Sequence, residues 1–81
     1  MIDPQQVETM IRDRFPDAEV KVAGDGEHFE AIVVAEEFAG KNRVKQHQMV
    51  YAAVTEAMHS NVIHALSLKT YTPEAWQAVN Q

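Results

Sequence analysis

The chain predicts an α+β domain, a three-stranded mixed sheet with its helices mainly on one face. Three observations carry this. Apolar residues spaced by three and four mark a helix near the start and a long one in the middle. Short alternating or apolar runs mark three strands. A glycine-flanked Asp-Gly turn joins the first two strands, whereas a whole helix separates the second from the third. The order is helix, strand, strand, helix, strand, helix, with one helical turn expected before the long helix. A strand–helix–strand connection makes the second and third strands parallel, with a right-handed crossover.

Asp3-Pro4 opens the first helix. Asp3 is a good N-cap, and Pro4 suits the first helical position because its missing N–H has no partner there. Val7, Met10, Ile11 and Phe15 form the apolar stripe, and Pro16 stops the helix. Glu19 to Ala23 alternate polar and apolar, as a strand with one solvated face does. Gly24-Asp25-Gly26 is the turn. The second strand spans His28 to Ala35, and its run Ala31-Ile32-Val33-Val34 reads as apolar on both faces, which predicts a central strand.

Glu36 to Gly40 form the connector, broken at Gly40. A helix follows over Arg43 to His59, with Val44, His47, Tyr51, Val54 and Met58 as its predicted apolar stripe. Asn61 tolerates the left-handed conformation of a C-cap. The third strand is predicted over Val62 to Tyr71, with Val62, His64, Leu66 and Leu68 on one side. Thr72 then caps a short helix with Pro73 at its first position and Trp76 and Val79 as apolar anchors.

Eighty-one residues predict one domain, residues 1–81. A chain of this size buries only about 60% of its unfolded surface, so the core is modest. A hydrophobic content of 46% fits a globular protein, not a disordered one. A net charge of −5 argues against a surface that binds nucleic acid throughout. There are no cysteines, hence no disulfides and no thiolate ligands. No apolar run approaches the roughly 20 residues of a membrane span, and a cytoplasmic protein is expected. No nucleophile elbow, phosphate loop or His-Glu-x-x-His motif points to an enzyme.

The four histidines are the candidate metal ligands besides carboxylates. His47 lies on the apolar stripe of the long helix and reads as a packing residue with a hydrogen bond to a neighbouring element. His59 lies near a helix C-terminus, where a cation is mildly favoured. His28 starts the second strand and His64 lies near the start of the third. If these strands are parallel neighbours, both histidines come to the same end of the sheet. A one-residue slip in register would separate them, so spacing alone leaves each open to a structural reading.

Several marks together resemble the BolA family. They are His28-Phe29-Glu30, the apolar second strand, Phe38-Ala39-Gly40-Lys41, Val50-Tyr51, Ile63-His64-Ala65-Leu66-Ser67-Leu68 and Thr72-Pro73-Glu74. The resemblance runs from about Val7 to Trp76. Gly24-Asp25-Gly26-Glu27-His28-Phe29 and Tyr71-Thr72-Pro73 resemble the acid-stress branch of bacterial members. The fold it implies is similar to a type II KH domain. The function it implies is partnership with a monothiol glutaredoxin, the two proteins sharing a [2Fe–2S] cluster. The glutaredoxin cysteine and a glutathione would supply thiolates. This chain would supply the histidine matching His64 and a second ligand from the loop where His28 falls. Read within a regular strand, His64 is expected to be preorganised and the principal ligand, whereas His28, beside a glycine-flanked turn, is expected to be more mobile and the weaker one. Imidazoles replace two thiolates on one iron in Rieske centres, so the donor chemistry is coherent. Such binding would be pH-sensitive, because protonated imidazole does not coordinate.

The alternative is a KH-like nucleic-acid-binding transcriptional regulator, binding DNA through the basic cluster Lys41, Arg43 and Lys45. Two features weaken it. Gln46-His47-Gln48 stands where many family members carry arginines beside the histidine. Phe38-Ala39-Gly40-Lys41 is not the Gly-x-x-Gly clamp of KH domains.

Overall fold

A computed structural model describes residues 2–60 and 63–80. It contains α1 (Pro4–Arg14), β1 (Glu19–Gly24), β2 (His28–Val34), a 3-10 turn (Glu36–Phe38), α2 (Arg43–His59), β3 (Ala65–Tyr71) and α3 (Pro73–Val79). The sheet order is β1-β2-β3. β1 and β2 form the antiparallel hairpin, with Val20 opposite Val33 and Val22 opposite Ala31. β2 and β3 are parallel, with His28 opposite Ala65 and Phe29 opposite Leu66. The mixed sheet, its central strand and its connectivity are those the sequence predicts.

The core forms on one face. Val20 from β1, Phe29, Ala31 and Val33 from β2, and Leu66 from β3 are buried there. α1 adds Val7 and Ile11, and α2 adds Val50, Val54 and Ala57. Phe15 and Phe38 lock the end of α1 to the connector, with ring centroids 5.6 Å apart. Asp3 caps α1 through its carboxylate, and the Gln6 side chain accepts back from the Asp3 N–H to complete a capping box. Gly26 and Gly40 take the positive φ, 102° and 77°, that the turn and the connector require.

The other face of the sheet is largely open. Along β2, His28 and Glu30 are exposed and Ile32 is half-buried, so β2 is central without being apolar on both faces throughout. α3 covers one end of this face. Trp76 lies against Tyr71, with centroids 5.1 Å apart, and Lys21 sits 5.7 Å from the Trp76 centroid. The second expected anchor, Val79, is 58% exposed, because the seven-residue helix turns it away from the sheet.

Two further expectations are corrected. The stripe of α2 centres on Val50, Val54 and Ala57, and Val44 is 66% exposed. Val44 lies in the first turn, before the helix reaches the core. The third strand begins at Ala65, not at Val62. Asn61 and Val62, the expected C-cap and first strand residue, lie outside the described residues. Ile63 is buried and its N–H donates to the Ala57 carbonyl, so the chain is still turning out of α2 at that point. His64 therefore precedes the ladder instead of sitting within it.

Candidate functional site

The β1–β2 turn is built by Asp25. Its Oδ1 accepts the N–H groups of Glu27 and His28, each at 2.9 Å, and its own N–H donates to the His28 carbonyl at 3.3 Å. These bonds hold the Asp25 carboxyl below its ordinary value of 3.8, chiefly through the His28 N–H and then that of Glu27. The consequence is positional. His28, expected to be mobile beside a glycine turn, has its backbone pinned on both sides. Its Nδ1 lies 3.8 Å from Asp25 Oδ2, with both side chains largely exposed.

His64 is pinned by its neighbours. Ile63 is 1% exposed, and the Ala65 N–H donates to the Glu27 carbonyl at 3.0 Å. Ile63 takes the core, so His64 points outward although Leu66, two residues on, is buried. The two imidazoles meet. Their ring centroids are 5.9 Å apart and their planes stand at 85°. Both residues are exposed.

Two imidazoles bound to one tetrahedral ion, each through a nitrogen about 2.1 Å away, have centroids roughly 5 Å apart. The observed separation is within about 1 Å of that, and exposed side chains reach it by small χ rotations. The ring spacing is compatible with one nitrogen from each imidazole on a single ion. Among the described residues, no group of three or more His, Cys, Asp or Glu is arranged to hold a metal ion.

The other candidates lie elsewhere. Lys41, Arg43 and Lys45 are exposed around the start of α2, where the Asn42 carboxamide oxygen caps the helix by accepting the Lys45 N–H at 2.9 Å. His59 is exposed at the last turn of α2. His47 is half-buried, and no hydrogen bond from its ring occurs among the described residues, so the expected bond to a neighbouring element is absent there. It lines an open groove of about 340 Å³ with Arg43, Leu68, Lys69, Thr70 and Tyr71.

Its neighbour Gln46 does the bonding instead. The Gln46 amide donates to the Phe38 and Lys41 carbonyls at 3.1 and 2.8 Å, and its oxygen accepts the Thr70 hydroxyl at 2.7 Å. One side chain ties the connector, α2 and β3 together. Asp25 and Gln46 are the residues that sequence reasoning missed. The signal for Asp25 was its spacing from Glu27 and His28, that of an Asx turn.

Comparison with known proteins adds four findings. Residues 4–75 match the family described as BolA-like protein. The chain is 40% identical over 75 residues to the acid stress protein IbaG of Escherichia coli, covering 93% of this chain and 89% of that one. It is 41% identical over 58 residues to the DNA-binding transcriptional regulator BolA of Vibrio cholerae, covering 72% of this chain and 54% of that one. The solved structure of a BolA homologue from Coxiella burnetii superposes with a TM-score of 0.86 at 38% identity, covering 95% of this chain and 99% of that one.

Proposed function

This chain belongs to the BolA-like protein family, and on that premise we propose that it is a non-catalytic adaptor supplying His28 and His64 to a [2Fe–2S] cluster shared with a monothiol glutaredoxin. The observation that supports this reading is the pairing of two exposed imidazoles with centroids 5.9 Å apart. With no cysteine in the chain, glutaredoxin and glutathione would supply the thiolates. The role follows as iron–sulfur trafficking or iron- and stress-linked regulation. When bound, the cluster supplies an exchangeable inorganic group with a potential raised by imidazole ligation.

The chain's own contribution is positional. Asp25 fixes the backbone of His28, while Ile63 and Ala65 fix that of His64. Exposure leaves both rings open to a partner's surface. Because the His28 backbone is pinned and His64 precedes β3, backbone order does not rank them as the sequence suggested; His64 keeps priority because the family resemblance matches it to a ligating histidine, whereas His28 is matched only through its loop.

The test is to assemble the complex anaerobically with a monothiol glutaredoxin and glutathione, then compare cluster retention and visible dichroism across variants. His64→Ala should lose most cluster, His28→Ala less, and His47→Ala little, with thermal melts confirming folding. Wild-type dichroism in His64→Ala would refute the assignment.

The second reading, DNA binding, is favoured by Lys41, Arg43 and Lys45, all exposed and without ion pairs among the described residues. The net charge of −5 opposes it, since few phosphates can be neutralised. Sub-micromolar duplex binding at about 150 mM salt, lost in Lys41→Ala/Arg43→Ala, would reverse the ranking.

A further inference from the structure

The last strand of the sheet has an outer edge with nothing paired to it. At one end of β3 the Ala65 N–H donates to the Glu27 carbonyl, and at the other the Tyr71 carbonyl accepts the Ala35 N–H. Odd-numbered residues of β3 therefore turn their backbone groups toward β2. The two-residue period of a strand then turns those of Leu66, Leu68 and Thr70 outward. The Leu66 carbonyl is occupied by the Tyr51 hydroxyl at 3.1 Å. The N–H and C=O groups of Leu68 and Thr70 have no partner among the described residues.

This open stretch forms one wall of the 340 Å³ groove, and α2 forms the other. The lining carries Arg43, His47 and Lys69 and no carboxylate, in a chain with 12 acidic and 7 basic residues. Neither Arg43 nor Lys69 makes an ion pair among the described residues.

We propose that the outer edge of β3 at Leu68–Thr70 accepts an extended, acidic segment of a partner protein as a fourth strand. The unpaired edge supplies donors and acceptors at the strand repeat, which a polypeptide backbone matches. A phosphodiester chain offers backbone acceptors only and would leave the Leu68 and Thr70 carbonyls unmet. Arg43 and His47 face the incoming strand from α2, and Lys69 from the open face of the sheet. This surface does not depend on His28 or His64.

The experiment titrates the full chain with a capped octapeptide alternating glutamate and valine, to about 1 mM, and follows the backbone amides by NMR. The controls are a lysine–valine octapeptide and an oligothymidylate. The acidic peptide should shift the Leu68 and Thr70 amides and slow their hydrogen exchange. Arg43→Glu/Lys69→Glu should weaken it roughly tenfold, the loss expected from two partly exposed charge pairs. Thr70→Pro should abolish binding, because it removes an outward donor and spares the β2 ladder. If that variant fails to fold, the charge-reversal pair still decides. No saturation, equal binding of the lysine peptide, or shifts confined to other surfaces would overturn the proposal. Tighter binding of oligothymidylate at the same edge would assign the groove to nucleic acid and overturn it too.

Discussion

Gly24→Ala should damage both the fold and the histidine pair, for one steric reason. Gly24 stands opposite Phe29 in the hairpin. A Cβ there would lie 2.5 Å from Phe29 Cδ1 and 2.6 Å from the His28 carbonyl oxygen. Ordinary contacts are about 3.5–4.0 Å, so roughly 1 Å of movement is needed. The Phe29 ring is 1% exposed and has little room to retreat. The His28 carbonyl is held by the Asp25 N–H. Overpacking of this kind costs about 1–3 kcal/mol. In a domain of this size that lowers Tm by roughly 5–20 °C. Gly40→Ala is the control. Gly40 has φ 77° but no atom within 4 Å of a Cβ, so its cost is conformational, about 1–2 kcal/mol. Both variants should melt early by circular dichroism. Only Gly24→Ala should shift the Glu27 and His28 amides and reduce cluster retention in the glutaredoxin complex. An unchanged melt for Gly24→Ala, or equal loss of cluster in Gly40→Ala, would refute the reasoning.

Two further predictions follow from the charges. The folded state depresses the Asp25 pKa, so the stabilisation from its carboxylate is present above 3.8 and is lost as pH falls through the lower folded value. The Asp25 carboxyl carbon resonance should titrate with a midpoint below 3.8, and a midpoint at or above that value would contradict the prediction. Lys45→Glu should raise the stability of α2 by about 0.3–1 kcal/mol, because the first turn carries no acidic residue and a cation opposes the helix dipole; a chemical-denaturation midpoint that falls would contradict this.

Much of the architecture was legible because local signals agreed with one another. Asp3-Pro4 and Thr72-Pro73 marked two helix starts, and both side chains do cap. The Asp25-Gly26 turn and the intervening α2 set antiparallel and parallel pairing correctly. Failures came where periodicity was extended past its cause. Val44 fits a three-and-four spacing but lies in a first turn that projects beyond the core. His64 fits an alternation with Leu66, yet Ile63 takes the core through a bend that no two-residue period encodes. The open face of β2 was also missed. A run of four apolar residues shows that a strand is central, but it does not show that both faces are covered along its whole length.

The histidine pair and the β3 edge sit at opposite ends of one strand, and this geometry constrains how the two proposals combine. β3 leaves the histidine end at Ala65 and reaches Thr70 five residues later, roughly 16 Å away at the strand rise. A protein seated on His28 and His64 approaches the hairpin turn. A strand added at Leu68–Thr70 approaches beside the start of α2. The connection between them is rigid, since Tyr51 binds the Leu66 carbonyl and Gln46 binds the Thr70 hydroxyl, fixing α2 to β3 at both places. Neither event requires the strand to move relative to the helix. Differential affinity is what allows one ligand to alter another's binding, and a single shared conformation offers none. Acidic-peptide affinity should therefore be the same for the free chain and for its cluster-bound complex with glutaredoxin. Tyr51→Phe, which releases the Leu66 carbonyl, should lengthen the open edge and tighten the peptide without changing cluster dichroism. A peptide affinity that changes several-fold on cluster assembly would show that the strand has two arrangements, and that the bonds from Tyr51 and Gln46 do not hold it in one.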